Sequence, residues 1–268
     1  MSDKKVFQER TKKSPSFKGV DKLKGILGLL SFSTILPLNF HTSIEEMSVF
    51  TWFWPIIGGL IGIFVGAVGF ITFNIIHLPS LLSAAIVYSF AISFTGFHHL
   101  DGLMDMGDGL MVHGDHQKKL EVMKDVMTGT GGISLFFIIA LITFSSINAI
   151  SAVLIFWVLL ISEIAAKISL ISCATFSSAL SEGTGQYFIG AMNVPLLILS
   201  LAITCIIGFF LLQVTGILGI IGALIGGWIV AQIAKKHFKY ATGDILGASN
   251  EIGRAISLIV IIIGLTYL

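Results

Sequence analysis

The chain has 268 residues, of which 55% are hydrophobic and only 12% charged, with a formal net charge of +1. A water-soluble domain carries about 25% charged residues, so this composition excludes an ordinary soluble domain and points to residence in a membrane. The two cysteines, Cys173 and Cys205, lie inside apolar runs, with no metal-type spacing and no disulfide framework.

Residues 1–24 are polar and basic and contain no apolar core of the kind that is later cleaved, so no secretory signal peptide is expected. They read as a cytoplasmic N-terminal segment ahead of a single transmembrane catalytic domain over 25–268. In residues 25–40 the apolar run Gly25-Ile26-Leu27-Gly28-Leu29-Leu30 is soon interrupted by Ser31, Ser33, Thr34 and Pro37. That stretch predicts an interfacial or re-entrant helix and not a crossing. Beyond it, long apolar runs without period-2 alternation predict an all-α, polytopic membrane bundle and not a β-barrel. With about 20 apolar residues needed per crossing, seven spans are expected at 50–77, 79–97, 131–150, 152–175, 194–214, 216–234 and 252–268. Trp52-Phe53-Trp54-Pro55 reads as an interfacial aromatic anchor. Breaks at His77-Leu78-Pro79, around Ser151 and at Gln213-Val214-Thr215-Gly216 predict tight hairpins. The 29 glycines suit helices whose backbones approach closely.

Charge sets the orientation. Eight of the 16 Lys and Arg lie in residues 4–24, three more are Lys118, Lys119 and Lys124, and four are Lys235, Lys236, Lys239 and Arg254. Seven spans put all of these on one side, which the positive-inside rule makes the cytoplasm, with the C-terminus outside. The expected location is the cell membrane, with the active face cytoplasmic.

Asp101, Asp105 and Asp108 stand at i, i+4 and i+7, within about 60° of arc on a helix. Three carboxylates on one stripe repel unless a cation lies between them, and hard oxygen donors suit Mg²⁺ or Mn²⁺. The competing reading is a solvated acidic loop. His99, just before the stripe, can meet metal, phosphate or a transferring proton, and Gly102, Gly107 and Gly109 leave room for a bulky anion. A second cluster, Met123-Lys124-Asp125-Val126-Met127-Thr128-Gly129-Thr130-Gly131-Gly132, enters a membrane helix through a Gly/Thr turn. Its backbone N–H groups are a natural phosphate cradle, with Lys124 beside them, although such turns are also common before helices. A third cluster, Thr242 to Glu251, holds Asp244, Asn250 and Glu251 just ahead of the last expected span. It reads as a helix cap by Ser249 or Asn250, a second metal or nucleotide contact, or both. Glu163 and Lys167 lie deep in a span at i, i+4, which allows a Glu–Lys pair on one face or a cation facing substrate. His41, His77, His113, His116 and His237 read as surface or interface residues.

On these motifs the sequence resembles the cobalamin synthases, also called adenosylcobinamide-GDP ribazoletransferases. That family's His-Leu-Asp-Gly-Leu-x-Asp-x-x-Asp-Gly is matched by His99 to Gly109, its Met-Lys-Asp segment by Met123 to Gly132, and its Thr-Gly-Asp-x-x-Gly-Ala-x-x-Glu by Thr242 to Glu251. An early Pro-φ-φ-Gly matches Pro55 to Gly58. Departures are His98 where many members have Leu, Met127 where many have Arg, and Glu163 and Lys167 in a span where many carry an Arg. The resemblance implies Mg²⁺-dependent joining of adenosylcobinamide-GDP to α-ribazole, or its 5′-phosphate, with release of GMP. It implies catalytic roles for His99, Asp101, Asp105 and Asp108. Substrate contacts fall on Lys124, Asp125, Gly129, Lys167, Thr242 and Asn250, and metal contacts on Asp101, Asp105, Asp108, Asp244 and Glu251. The lipid bilayer is a partner, no nucleic acid is implied, and a homo-oligomer is compatible with the pattern.

Two other readings share some features. A CDP-alcohol-type membrane phosphotransferase shares the Asp105-x-x-Asp108-Gly109 core, but its Ala-Arg and second Asp-x-x-x-Asp half are absent, and His113-Gly114-Asp115 does not replace them. An ion-coupled transporter usually carries its carboxylates at mid-membrane in broken helices, whereas these gather at one face.

Overall fold

The computed structural model describes residues 9–10, 21–38 and 42–268. Most of the basic segment 1–24, and His41, lie outside the described residues. α1 (Lys22–Ser33) opens where Asp21 Oδ1 accepts from Leu23 N at 3.1 Å and Lys24 N at 3.2 Å. At 12 residues it is too short to cross a bilayer, which needs about 20. α2 (Ile44–Ser48) starts in a Ser43/Glu46 capping box. α3 (Trp54–Phe70) has Pro55 in its first turn, where a missing N–H is harmless. A π-helical turn, Ile71–Ile75, extends α3.

α4 (Ser80–Phe94) and α5 (His98–Met111) meet at 91°. Gly96 (φ 68°) and Phe97 (φ 61°) make that bend in left-handed conformations. α6 (His116–Val122), α7 (Thr130–Asn148), α8 (Ile155–Phe176), α9 (Gly185–Ala191), α10 (Val194–His237) and α11 (Gly243–Tyr267) complete the helices. Two-residue strands, Glu9–Arg10 and Ala179–Leu180, pair antiparallel, and Ala179 also bridges to Ala241 just ahead of α11.

Five helices are long and apolar enough to cross a membrane, six if α4 and α5 are counted as one bent element. α10 is not continuous: Leu212 (φ −133°, ψ 18°) and Gln213 (φ 52°, ψ −136°) leave helical geometry. On one straight helix Gly208 and Gly216 would stand about 12 Å apart, yet the two backbones are in contact. α10 is therefore a hairpin with two antiparallel arms, as the break near Gln213 predicted. Counted by arms, the described chain carries the seven expected apolar helices, α4 being short at 15 residues. One boundary is corrected. The last helix starts at Gly243, not at 252, and Thr242 caps it by accepting from Ile245 N at 3.4 Å. The polar residues up to Glu251 had read as lying ahead of the last span; Ser249 and Asn250 instead lie within the helix and bond to another one.

That helix is α8, the centre of the bundle, packed by α3, α10 and α11. Of its most apolar 18-residue window 89% is buried, against 28% for α7 and 22% for α10, whose outer faces are left for lipid. α3 lies on α8 along a ridge of Gly58, Gly62 and Gly66. A Cβ on Gly62 would stand 2.8 Å from both the Cα and the carbonyl oxygen of Leu160. Such contact between backbones supplies the dispersion energy that holds membrane helices together where apolar lipid gives no hydrophobic drive.

Gly62→Leu is therefore expected to destabilise the detergent-solubilised protein by about 1–3 kcal/mol, the usual overpacking range, read as a lowered thermal midpoint. Gly190→Ala, where nothing lies within 4 Å, should stay within about 0.5 kcal/mol of the parent.

Candidate active site

α5 carries the acidic stripe, and its glycines face its neighbours. A Cβ on Gly102 would meet the backbone of Asp244 in α11, one on Gly107 the backbone at Gly131 in α7, and one on Gly109 the side chains of Met123 and Phe238. The expectation that these glycines leave room for an anion is corrected: they let α7 and α11 reach α5. The approach at Gly102 brings Asp244 beside the stripe. Asp101 is exposed and Asp105 half-buried. Burial, reinforced by the charges of Asp244, Asp101 and Asp108, pushes the Asp105 carboxyl up to about 7.

A cavity of about 250 Å³ opens beside this group. His98, His99 and Asp101 of α5 and Asp244 of α11 line one side, and Phe32, Trp54 and Phe188 line another. The Trp54 and Phe188 rings are 4.8 Å apart between centroids, Phe32 and Phe188 5.3 Å, and Trp54 Nε1 donates to Ser33 Oγ at 2.7 Å. Sequence reasoning missed this aromatic wall, whose members come from three distant segments. It read Trp54 as an interfacial anchor, but the residue is 2% exposed and packed inside.

Asp108 is placed differently from its two companions. Its Oδ2 accepts from Gly129 N at 2.7 Å and its Oδ1 from Gly132 N at 2.8 Å. The N–H groups at the start of α7, expected to cradle phosphate, thus hold an internal carboxylate. Gly129 is required there, since a Cβ would lie 2.6 Å from Asp108 Oδ1. Lys124 Nζ pairs with Glu182 at 2.5 Å, and Asp125 Oδ1 accepts from Met127 N at 3.1 Å. Thr242 Oγ1 donates to Asp244 Oδ2 at 3.1 Å.

Behind the cavity lies a buried polar network. Glu163 does not make the pair with Lys167 that its spacing allowed. Arg254 reaches from α11, with Nε 2.8 Å from Glu163 Oε1 and Nη2 3.2 Å from Oε2, and its Nη1 donates to Glu251 Oε2. Arg254 is 1% exposed; sequence reasoning had grouped it with a basic loop. Glu251 Oε1 accepts from Asn250 Nδ2 at 3.0 Å. Lys167 Nζ donates to Asn250 Oδ1 at 2.8 Å and lies 2.7 Å from His99 Nε2. Both Glu251 oxygens are engaged, one by Asn250 and the other by Arg254. Among the described residues, no three His, Cys, Asp or Glu side chains stand together as a ready metal site.

Residues 25–262 match the cobalamin-5-phosphate synthase family. The chain belongs to that family. A protein of Methanococcoides burtonii named adenosylcobinamide-GDP ribazoletransferase is 32% identical over 249 residues, covering 88% of this chain and 90% of its own. One of the same name from Picrophilus torridus is 31% identical, covering 90% and 98%, and one from Thermococcus kodakarensis is 35% identical, covering 65% and 74%. No solved structure matches. In this member of the cobalamin-5-phosphate synthase family, the guanidinium beside Glu163 is supplied by α11.

The two kinds of aspartate separate by stability. Asp108→Asn replaces one acceptor oxygen with an NH₂ facing a backbone N–H, and should lower stability by about 1–3 kcal/mol. Asp105 has a folded-state pKa raised from 3.8 to about 7, so the folded protein holds this proton more tightly than the unfolded chain. Its stability contribution is present at low pH and is lost as pH rises through that window. In metal-free buffer, Asp105→Asn should leave the thermal midpoint at pH 8 no lower than the parent's and flatten its fall between pH 4 and 7.

Proposed function

We propose that the chain joins adenosylcobinamide-GDP to α-ribazole, or its 5′-phosphate, giving adenosylcobalamin, or its 5′-phosphate, and GMP. Family membership supports the reaction. The observation that supports the assignment of the site is that Asp101 and Asp244, from two helices, line one cavity together with Phe32, Trp54 and Phe188, with Asp105 near enough for both charges to raise its carboxyl. Phosphoryl transfer asks mainly for positioning and charge neutralisation. The aromatic wall gives a flat heterocycle a surface to lie on. A ribose hydroxyl then attacks the phosphorus nearer cobinamide. Asp101, the most open carboxylate, stands where it can accept the hydroxyl proton, and GMP departs.

Asp101 and Asp244 on the cavity wall, with Asp105 beside them, suit Mg²⁺, which keeps several waters and takes one or two carboxylates together with substrate phosphates. Their mutual repulsion at Asp105 is the property that a cation would relieve. When bound, the ion supplies positive charge against the diphosphate. Asp108 and Glu251 fall outside this donor set, because their oxygens already accept hydrogen bonds. The distribution of Lys and Arg supports a cytoplasmic site in the cell membrane.

Purified protein in lipid nanodiscs should release GMP from adenosylcobinamide-GDP only when one of the two acceptors is present, and should stop in excess chelator. Asp105→Asn should lower the rate at least about 10²-fold, the scale of losing one strong electrostatic stabiliser. No release with either acceptor would remove the proposed reaction, and full activity in chelator would remove the metal. Tags at the N-terminus and near residue 115 should report cytoplasm, and a tag after Leu268 the outside.

A further inference from the structure

Glu163, Arg254, Glu251, Asn250, Lys167 and His99 form one continuous chain of buried contacts across α8, α11 and α5. It ends at the cavity, whose wall includes His99. His99 Nε2 faces Lys167, while Nδ1 bonds to no described residue and is the ring's remaining polar atom for a ligand.

Charge balance fixes the protons. Glu163 and Glu251 bring two negative charges and Arg254 one positive. Lys167 is 0% exposed inside a membrane-spanning helix, where an unbalanced charge is strongly unfavourable. With both glutamates ionised against Arg254 and His99 uncharged, the network is neutral when Lys167 is an ammonium. An ammonium has donors and no acceptor, so the contact at 2.7 Å requires His99 Nε2 to accept. The ring proton is then on Nδ1. The Asn250 amide is ordered in the same sense, its oxygen on Lys167 and its NH₂ on Glu251.

We infer that Lys167 is a positioning residue that fixes His99 as a neutral imidazole with its proton on Nδ1, so that His99 offers a phosphate oxygen an N–H donor and does not act as the base. The identity of that anion, a diphosphate, rests on the proposed function; the tautomer does not. In consequence the hydroxyl proton goes to a carboxylate, and Lys167 acts on the reaction without touching substrate.

The test uses the full chain in nanodiscs with ¹⁵N-labelled histidine and no substrate, His99 being assigned by its loss in His99→Asn. The expected spectrum has a protonated, pyrrole-type Nδ1 and an unprotonated Nε2. A proton on Nε2, or on both nitrogens, overturns the inference. The double variant Glu163→Gln/Lys167→Met keeps the network neutral, so it should still fold, with a thermal midpoint lowered by the lost bonds to Arg254 and Asn250, and its His99 should shift towards the Nε2–H form. An unchanged tautomer in the folded double variant removes the positioning role, whereas a merely structural lysine would leave the histidine signals alone. GMP release gives the third readout. His99→Asn, whose amide N–H stands near the place of Nδ1–H, should stay within about tenfold of the parent, while His99→Ala should lose about 10²-fold. Folded His99→Asn as inactive as His99→Ala overturns the donor assignment. If the parent releases no GMP at all, the proposed function fails and the two spectra still decide the tautomer.

Discussion

A membrane interior tolerates ions only when each has a partner, and that constraint organises this protein. Arg254, with Glu163 on one side and Glu251 on the other, ties α11 to α8 at the middle of the bundle. Removing any one partner would strand a charge, so the two helices are held in a single register. That register sets where Asn250 and Lys167 meet, and through them the orientation of His99. Ser169 reinforces it by exchanging hydrogen bonds with Ser249 one turn away. The polar core therefore does two jobs at once: it specifies helix packing and it ends at the cavity wall.

The site follows from how α5 is brought to that frame. Two left-handed residues turn the chain sharply after α4, and three glycines then seat α5 against α7, α11 and Phe238. Glycine in a helix ordinarily weakens it. Here the loss is offset by approach between backbones, which no larger residue permits. Because Asp244 rides on the first turn of α11 and Asp101 on the first turn of α5, the two acids arrive together at helix starts. The motif and the packing are thus one feature seen from two faces of the same helix.

The sequence made much of this legible. Apolar run length and the missing period-2 alternation revealed the bundle, the polar break at Gln213 revealed the hairpin in α10, and the i, i+4, i+7 acids revealed a helix. What was hidden depends on partners distant in sequence. The i, i+4 spacing of Glu163 and Lys167 was a sound local reason for a pair, but Arg254 from another helix binds Glu163 with two nitrogens, which a lysine cannot do. Asp108 looked like its two companions because spacing cannot say which carboxylate meets the start of the next helix. The beginning of α11 was misplaced because hydropathy treats polar residues as loop, and these polar residues are buried against other polar residues. The aromatic wall was invisible because Phe32, Trp54 and Phe188 belong to segments that only the fold brings together.

Asp108 at the start of α7 has a wider consequence. By filling that helix terminus with the protein's own anion, it removes a source of positive potential that phosphate sites commonly use. Lys124 is tied to Glu182, and Lys167 and Arg254 belong to a neutral interior cluster. Among the described residues no Lys or Arg lines the cavity, while Asp101 and Asp244 do. The charges on the described wall are therefore those of Asp101 and Asp244, with Lys124 close enough to Asp244 to oppose them.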